Sequence, residues 1–311
     1  MNLRSALRPS LGTALILALA FHVGPNLNCS AEEKAAVKSS SAGAEPLVMV
    51  VMDPLAKELS CPCVKGYAQR DYAKLAEFLT SRLGRRVEIS FSESLVTAVE
   101  KNTDGRADIV IGKQSVVRYD AEKLSRTFHR TALLSGKDGA LTQTGLIVVA
   151  DADPARAVAD LKDHLLVFGP ADCDEKHIAA MTLLKSRGIA IPTKPETAAG
   201  CEEGALRILE LPAGQRGAAV ISSYAKPLLE GCGTVPKGAL RVVGETEPVP
   251  FVAVFVAAEL PEELRTQIGA ALASTAGEPL LCFALESKRG FVAASDDATA
   301  QAPTAADVKK N

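Results

Sequence analysis

Short, fully apolar runs alternate along this chain with stretches of helical periodicity, and that alternation restricts the fold more than any other feature. Leu47 to Met52 (LVMVVM), Ala107 to Ile111, Leu165 to Phe168, Ala218 to Ser222 and Phe251 to Ala257 read as buried strands. Arg86 to Phe91 and Thr144 to Ala150 read as further strands. Between them, Asp71 to Leu83 places Tyr72, Leu75, Phe78, Leu79 and Leu83 on one stripe, and Gly84 follows as a stop signal. Ser94 to Lys101, Cys173 to Arg187, Cys201 to Leu209 and Pro261 to Ala273 also read as helices, the last with Pro near its first turn. Strands without polar alternation are covered on both faces, so the expected class is α/β, with mostly parallel sheets flanked by helices. The length of 311 residues suggests two domains of about 100–200 residues each.

Composition narrows the function. The net charge of -2, with charges scattered, leaves no basic stripe for nucleic acid, and the absence of Trp with 4% aromatics argues against base stacking. Enzyme signatures are missing as well. There is no Gly-x-Ser-x-Gly elbow, no His-Glu-x-x-His helix and no phosphate loop. The chain is therefore not expected to be an enzyme.

The first 31 residues read as a signal peptide. Arg4 and Arg8 form a positive start, Leu11 to Val23 an apolar core shorter than the ~20 residues of a membrane span, and Cys29-Ser30-Ala31 a small-residue cleavage site. Asn26 and Asn28 weaken a lipoprotein reading of Cys29. Residues 32–43 form a Ser/Ala/Gly-containing linker, and residues 295–311 a polar, Ala-rich tail. A periplasmic or otherwise exported location follows. Of the seven cysteines, cleavage leaves Cys61, Cys63, Cys173, Cys201, Cys232 and Cys282, an even number for which disulfides are the default in an oxidising compartment.

In α/β sheets, ligands sit beyond the carboxyl ends of the strands. The three loops expected there, Met52 to Arg70, Gly169 to His177 and Ala199 to Glu203, all contain Cys. Several segments then resemble the phosphate/phosphite/phosphonate solute-binding proteins of ABC importers. They are GRADIVIGKQS (Gly105 to Ser115), Val158-Ala159-Asp160-Leu161-Lys162, LLVFGP (Leu165 to Pro170), and Pro250 to Val256 with the helix at Glu262. The resemblance spans roughly Pro46 to Ala294, with Asp163 and Val167 departing from its usual Gly and Ala.

That resemblance implies a two-lobed Venus-flytrap: lobe one at 44–141 plus 250–294, lobe two at 142–249. It also implies a monomer that captures a small ligand between the lobes and docks on an ABC permease in the membrane. In the family, hydroxyl residues at two helix starts hold an oxyanion. This chain instead has Asp172-Cys173-Asp174-Glu175-Lys176-His177 and Gly200-Cys201-Glu202-Glu203. Carboxylates there would repel a phosphonate, although acidic residues also cap helix N-termini.

The expected ligand-binding set is Cys61, Cys63, Lys65, Tyr67, Lys113, Gln114, Ser115, Asp172, Cys173, Asp174, Cys201, Glu202 and Ser222, with Gln69, Arg70, Ser223 and Tyr224 as weaker members. Two readings of the cleft cysteines stand. They form disulfides, with Cys61 and Cys63 needing separate partners, or Cys61, Cys63, Cys173 and Cys201 hold a soft or borderline metal ion with His177 or carboxylates completing the shell; unpaired or redox-active thiols are the remaining alternative. Cys232 and Cys282 are assigned structural roles, and His129 and His164 are read as ordinary histidines. No cofactor is required; the metal reading alone would add a bound metal ion. The ligand is accordingly read as an oxyanion, a metal or a metal complex. The competing functional class is an exported thiol- or metal-handling protein (sensor, chaperone or redox partner) on the same fold.

Overall fold

A computed structural model describes residues 45–60 and 68–294. The expected signal peptide, linker and tail, and residues 61–67 with Cys61, Cys63, Lys65 and Tyr67, lie outside the described residues. Among the described residues no helix is long and apolar enough to cross a membrane.

Two sheets form the frame. The first contains β1 (Leu47–Met52), β2 (Val87–Phe91), β3 (Ile109–Lys113), β4 (Phe128–Leu134), β12 (Val252–Ala257) and β13 (Phe291–Ala293), in the order β13-β4-β12-β3-β1-β2. The second contains β6 (Gly145–Ala150), β7 (Leu165–Phe168), β8 (Glu196–Thr197), β9 (Gly217–Ser222) and β10 (Leu240–Glu245), in the order β10-β6-β9-β7-β8. Between them in the chain, β5 (Thr142–Gln143) and β11 (Val249–Pro250) pair antiparallel, as the two crossing strands of a two-lobed molecule. The α/β class holds. Within it each sheet is mixed: β1 runs parallel to β2 and β3, whereas the returning β12 is antiparallel to β3 and β4. Likewise β7 is parallel to β8 and β9, while β6 is antiparallel to β9 and β10.

The helices are α1 (Tyr72–Leu83), α2 (Leu95–Thr97, continued by a π-turn to Asn102), α3 (Gln114–Lys123), α4 (Ile178–Ser186), α5 (Cys201–Leu209), α6 (Ala225–Gly231), α7 (Glu262–Ser274) and α8 (Pro279–Ala284). The apolar stripe of α1 buries Tyr72, Leu75, Ala76 and Leu79 against the first sheet's face, and Gly84 ends it in the left-handed conformation at φ 60°. β1, β9 and β12 are buried along their entire length, which is why they appear as unbroken apolar runs.

One expectation is corrected by the chain's local geometry. The helix read from Cys173 starts only at Ile178. Residues 171–176 form successive turns in which the Lys176 and His177 N–H groups both donate to the Cys173 carbonyl. The Cys173 thiol therefore does not sit on a helix N-terminus.

Candidate functional site

The carboxyl ends of β1, β3, β7 and β9 converge on one cleft of about 550 Å³. Its walls are largely apolar, with Met52, Leu55, Leu59, Val116, Leu228 and Leu229 among them. Its polar lining comprises Glu93, Lys113, Asp172, Cys173, Lys176, Cys201, Glu202 and Tyr224.

A buried ion pair spans the two sheets at the cleft floor. Lys113, the last residue of β3, donates from Nζ to Glu175 Oε1 at 2.6 Å, in the loop after β7. The same carboxylate oxygen accepts from Ser222 Oγ at 2.7 Å and from the Cys173 thiol at 3.2 Å. Lys113 Nζ also lies 3.3 Å from Cys173 Sγ and from Ser222 Oγ, and 5.5 Å from the Tyr224 ring centroid. Burial alone would raise the Glu175 carboxyl. The Lys113 ammonium and the hydrogen bonds from Lys113, Ser222 and Cys173 outweigh it and bring the pKa to about 2. Burial would likewise lower the Lys113 ammonium, but the surrounding Tyr224, Glu175 and thiol groups hold it well above its ordinary value. A second contact joins the same segments, as Asp174 N–H donates to Ser115 Oγ at 3.2 Å. Asp174 itself does not line the cleft.

The close approach needs a glycine. A Cβ at Gly145, the first residue of β6, would stand 2.0 Å from the Glu175 carbonyl oxygen. Gly145→Ala is expected to push the Glu175 loop out of register at a cost of about 1–3 kcal/mol, measured by urea unfolding. Retained stability would show that the loop has room to give.

The structure places the remaining expected residues as follows. Asp172, Cys173, Cys201 and Glu202 line the cleft. Gln114 does not, because its Oε1 accepts from Arg130 at 2.5 Å. Ser222 is fully buried beneath the cleft, with its hydroxyl committed to Glu175. Gln69 bonds Ser60. Arg70 turns into the core, where Nη1 donates to Asp53 Oδ2 at 2.7 Å and the guanidinium sits 5.2 Å from the Phe251 ring centroid. Phe251 in turn stacks on Tyr224 at 5.1 Å. Ser223 Oγ accepts from the Thr144 N–H.

The cysteine expectations change. Cys173, Cys201 and Cys282 carry free thiols, so none of them is in a disulfide. Cys232 donates to the Leu229 carbonyl, in keeping with a structural role, and Cys282 donates to that of Thr275. Among the described residues no three His, Cys, Asp or Glu side chains gather to hold a metal ion, and Cys61 and Cys63 of the expected set lie outside them. His177 is occupied elsewhere, its Nδ1 bonding the Gly169 carbonyl at 2.8 Å and its ring packing on Phe168. Burial pushes the Cys173 thiol up to about 11, with the Lys113 charge opposing and the Glu175 charge adding. A thiol in that state is a poor nucleophile and a poor metal ligand at neutral pH. Cys201 is partly exposed on the cleft wall and accepts from the Ser222 N–H at 3.3 Å. Iodoacetamide at pH 8 should therefore label Cys201 well before Cys173, as peptide mapping would show; equal rates would contradict the burial of Cys173.

Glu175, Lys176 and Glu93 escaped sequence reasoning as site residues. Lys176 is only 5% exposed yet lines the cleft, and Glu93 reaches it from the loop after β2. The only sequence signal for the first two was their place in the loop after Phe168-Gly169.

Two mixed α/β sheets, two crossing strands and a cleft at converging strand ends define a two-lobed binding protein of the periplasmic type. Family comparison makes this specific. The profile described as "ABC transporter, phosphonate, periplasmic substrate-binding protein" matches residues 66–299, and the chain belongs to that family. No curated protein matches the sequence. Solved structures share the fold at low identity. A Xanthomonas citri protein bound to ATP is similar at TM-score 0.61 and 16% identity, over 82% of this chain and 94% of that one. A binding-protein component of an ABC phosphonate transporter from Pseudomonas aeruginosa is similar at TM-score 0.59 and 12% identity, over 82% and 83%. A Prochlorococcus marinus protein in complex with methylphosphonate is similar at 0.59 and 12%, over 81% and 93%. Belonging to a family of transporter substrate-binding proteins, the chain is not an enzyme.

Proposed function

We propose that this protein is exported by its N-terminal signal and captures a small organic solute in the cleft between its lobes for an ABC permease. The lobes would be 44–141 plus 250–294 and 142–249, moving as rigid bodies about β5 and β11. The observation that carries this reading is the cleft itself. It measures about 550 Å³ and lies where the ends of β1 and β3 from one sheet face those of β7 and β9 from the other. Lys113–Glu175 and Ser115–Asp174 act as the closure contacts, since each joins the first lobe to the second.

Compact phosphonate, the ligand in the Prochlorococcus complex, suits this cleft poorly. Lys113 is neutralised by Glu175, Cys stands where hydroxyls hold the oxyanion, and Glu93, Asp172 and Glu202 add negative charge to the lining. ATP, held by the Xanthomonas protein, would meet the same carboxylates with a larger charge. A more apolar solute fits the walls.

The test is native mass spectrometry of the protein purified from an exporting host without refolding. A retained small molecule released on unfolding is the expected result. A bare protein that also takes up nothing from a metabolite extract would overturn the reading.

A further inference from the structure

We infer that Glu175 is a tethered anion: its carboxylate fills an anion-binding place built by Lys113, Ser222 and Cys173, and so keeps free small anions off the cleft floor. This rests on solute capture in the cleft as proposed above, and names Glu175 as the residue that sets which charge the floor accepts.

Three donors from three separate elements converge on one oxygen. Lys113 Nζ, at the end of β3, donates to Glu175 Oε1 at 2.6 Å. Ser222 Oγ, at the end of β9, donates to it at 2.7 Å, and the Cys173 thiol, in the loop after β7, at 3.2 Å. All three donor residues are buried. An ammonium, a hydroxyl and a neutral thiol together carry one positive charge, which a single carboxylate balances through charge-assisted hydrogen bonds. A pair serving only to join the two sheets needs Lys113 and Glu175 alone. The added hydroxyl and thiol make the place a cradle whose donors stay behind when the carboxylate is taken away.

The cradle borders the cleft. Lys113 and Cys173 line it, while Glu175 and Ser222 are buried just beneath. A free anion on Lys113 would enter from the cleft, and the Glu175 carboxylate stands in its place. The backbone presents that carboxylate in a fixed position. The Gly169 N–H donates to the Lys176 carbonyl, the Lys176 N–H donates to that of Cys173, and the Glu175 carbonyl packs on Gly145. An anion held by the chain in this way outcompetes one that must be captured from solution, because its ordering cost is met on folding. Truncation reverses that advantage. Glu175→Ala removes a group of the size and charge of acetate and leaves the Lys113 ammonium buried without its counter-charge. Acetate can then take the empty place and stabilise the fold by mass action.

Acetate titration at pH 7, with sodium chloride of matched ionic strength as control, tests this by calorimetry and by melting temperature. The proteins are wild type, Glu175→Ala, Glu175→Gln, and Lys113→Met combined with Glu175→Ala. Glu175→Ala should bind acetate saturably and melt at least about 2–4 °C higher than in chloride. Wild type should show neither effect, because its own carboxylate fills the place. Glu175→Gln should show neither because the amide fills it, and the double variant because the ammonium is gone. No acetate binding to Glu175→Ala overturns the inference and leaves Glu175 as a structural partner of Lys113. An equal acetate effect on wild type or on the double variant also overturns it, since the anion would then bind elsewhere. If Glu175→Ala does not fold in chloride, its refolding yield in acetate is compared instead, and no gain decides against the tethered anion. Solute capture is judged separately. A small-molecule adduct on wild type in native mass spectrometry, with no acetate rescue of Glu175→Ala, leaves capture standing while the tethered anion falls.

Discussion

Replacing Lys113 with Met is expected to cost about 3–5 kcal/mol of stability at pH 7, because it strands the Glu175 carboxylate in a buried site. Ser222 and Cys173 still donate to Glu175, but neither supplies a charge. Lys113→Met combined with Glu175→Leu should recover most of the loss, since replacing both members of a buried pair with apolar groups is often neutral. Urea unfolding of the two single variants and the double variant measures the coupling between them. Single and double variants of equal stability would mean that the pair is not desolvated.

The pH dependence has a definite sign. Glu175 ionises at about 2 in the folded protein, against about 4.3 for a free Glu side chain. Its contribution is therefore present above about pH 4.3 and is lost progressively as pH falls towards 2. Wild-type protein should lose more stability across that window than the double variant. Parallel acid profiles would contradict the pairing.

A comparable loss is expected at the other buried ion pair. Asp53 Oδ2 accepts from Arg70 Nη1 at 2.7 Å and from Tyr72 Oη at 2.6 Å, while Oδ1 accepts from the Leu55 N–H at 3.0 Å. All three of Asp53, Arg70 and Tyr72 are essentially inaccessible. Asp53→Ala leaves the Arg70 guanidinium without its counter-charge beneath the Phe251 ring and should cost about 3–5 kcal/mol. Tyr72→Phe removes one hydrogen bond from the same oxygen and should cost only about 1 kcal/mol. The effect should extend beyond stability, because Arg70, Phe251 and Tyr224 stack in sequence from the segment before α1 through the residue after β11 to the cleft wall. Faster amide exchange at 249–252 in Asp53→Ala would show that link. Exchange confined to residues 53–72 would show that the stack does not transmit it.

Strands buried on both faces were the most legible part of the fold. LVMVVM, LLVF and FVAVFVA contain no polar residue, as expected of short strands covered on both faces. β4 and β10 went unread, for the opposite reason. β4 carries His129, Arg130 and Thr131 at partly or fully exposed positions, and β10 is an edge strand with alternating exposure. The cleft was legible as a set of loops but not as chemistry. Glu175 and Lys176 are sequence neighbours in a segment that reads as helix. The turns at 171–176 send one side chain beneath the floor to Lys113 and leave the other facing the ligand space. Side-chain direction through irregular turns has no sequence period, so the division between Glu175 beneath the floor and Lys176 on the cleft wall could not be read beforehand. The thiol chemistry failed for a related reason: Cys173 and His177 are close in sequence but face different surroundings.

Solute capture between the lobes is tested most directly by plugging the cleft. Leu228→Trp adds bulk at a residue on the cleft wall, at a partly buried position of α6. Wild-type and Leu228→Trp protein, matched for melting temperature, would be incubated with the same metabolite extract and compared by native mass spectrometry. The account predicts a small-molecule adduct on the wild type and its loss in the plugged variant. An equal adduct on both proteins would place binding outside the cleft and contradict it.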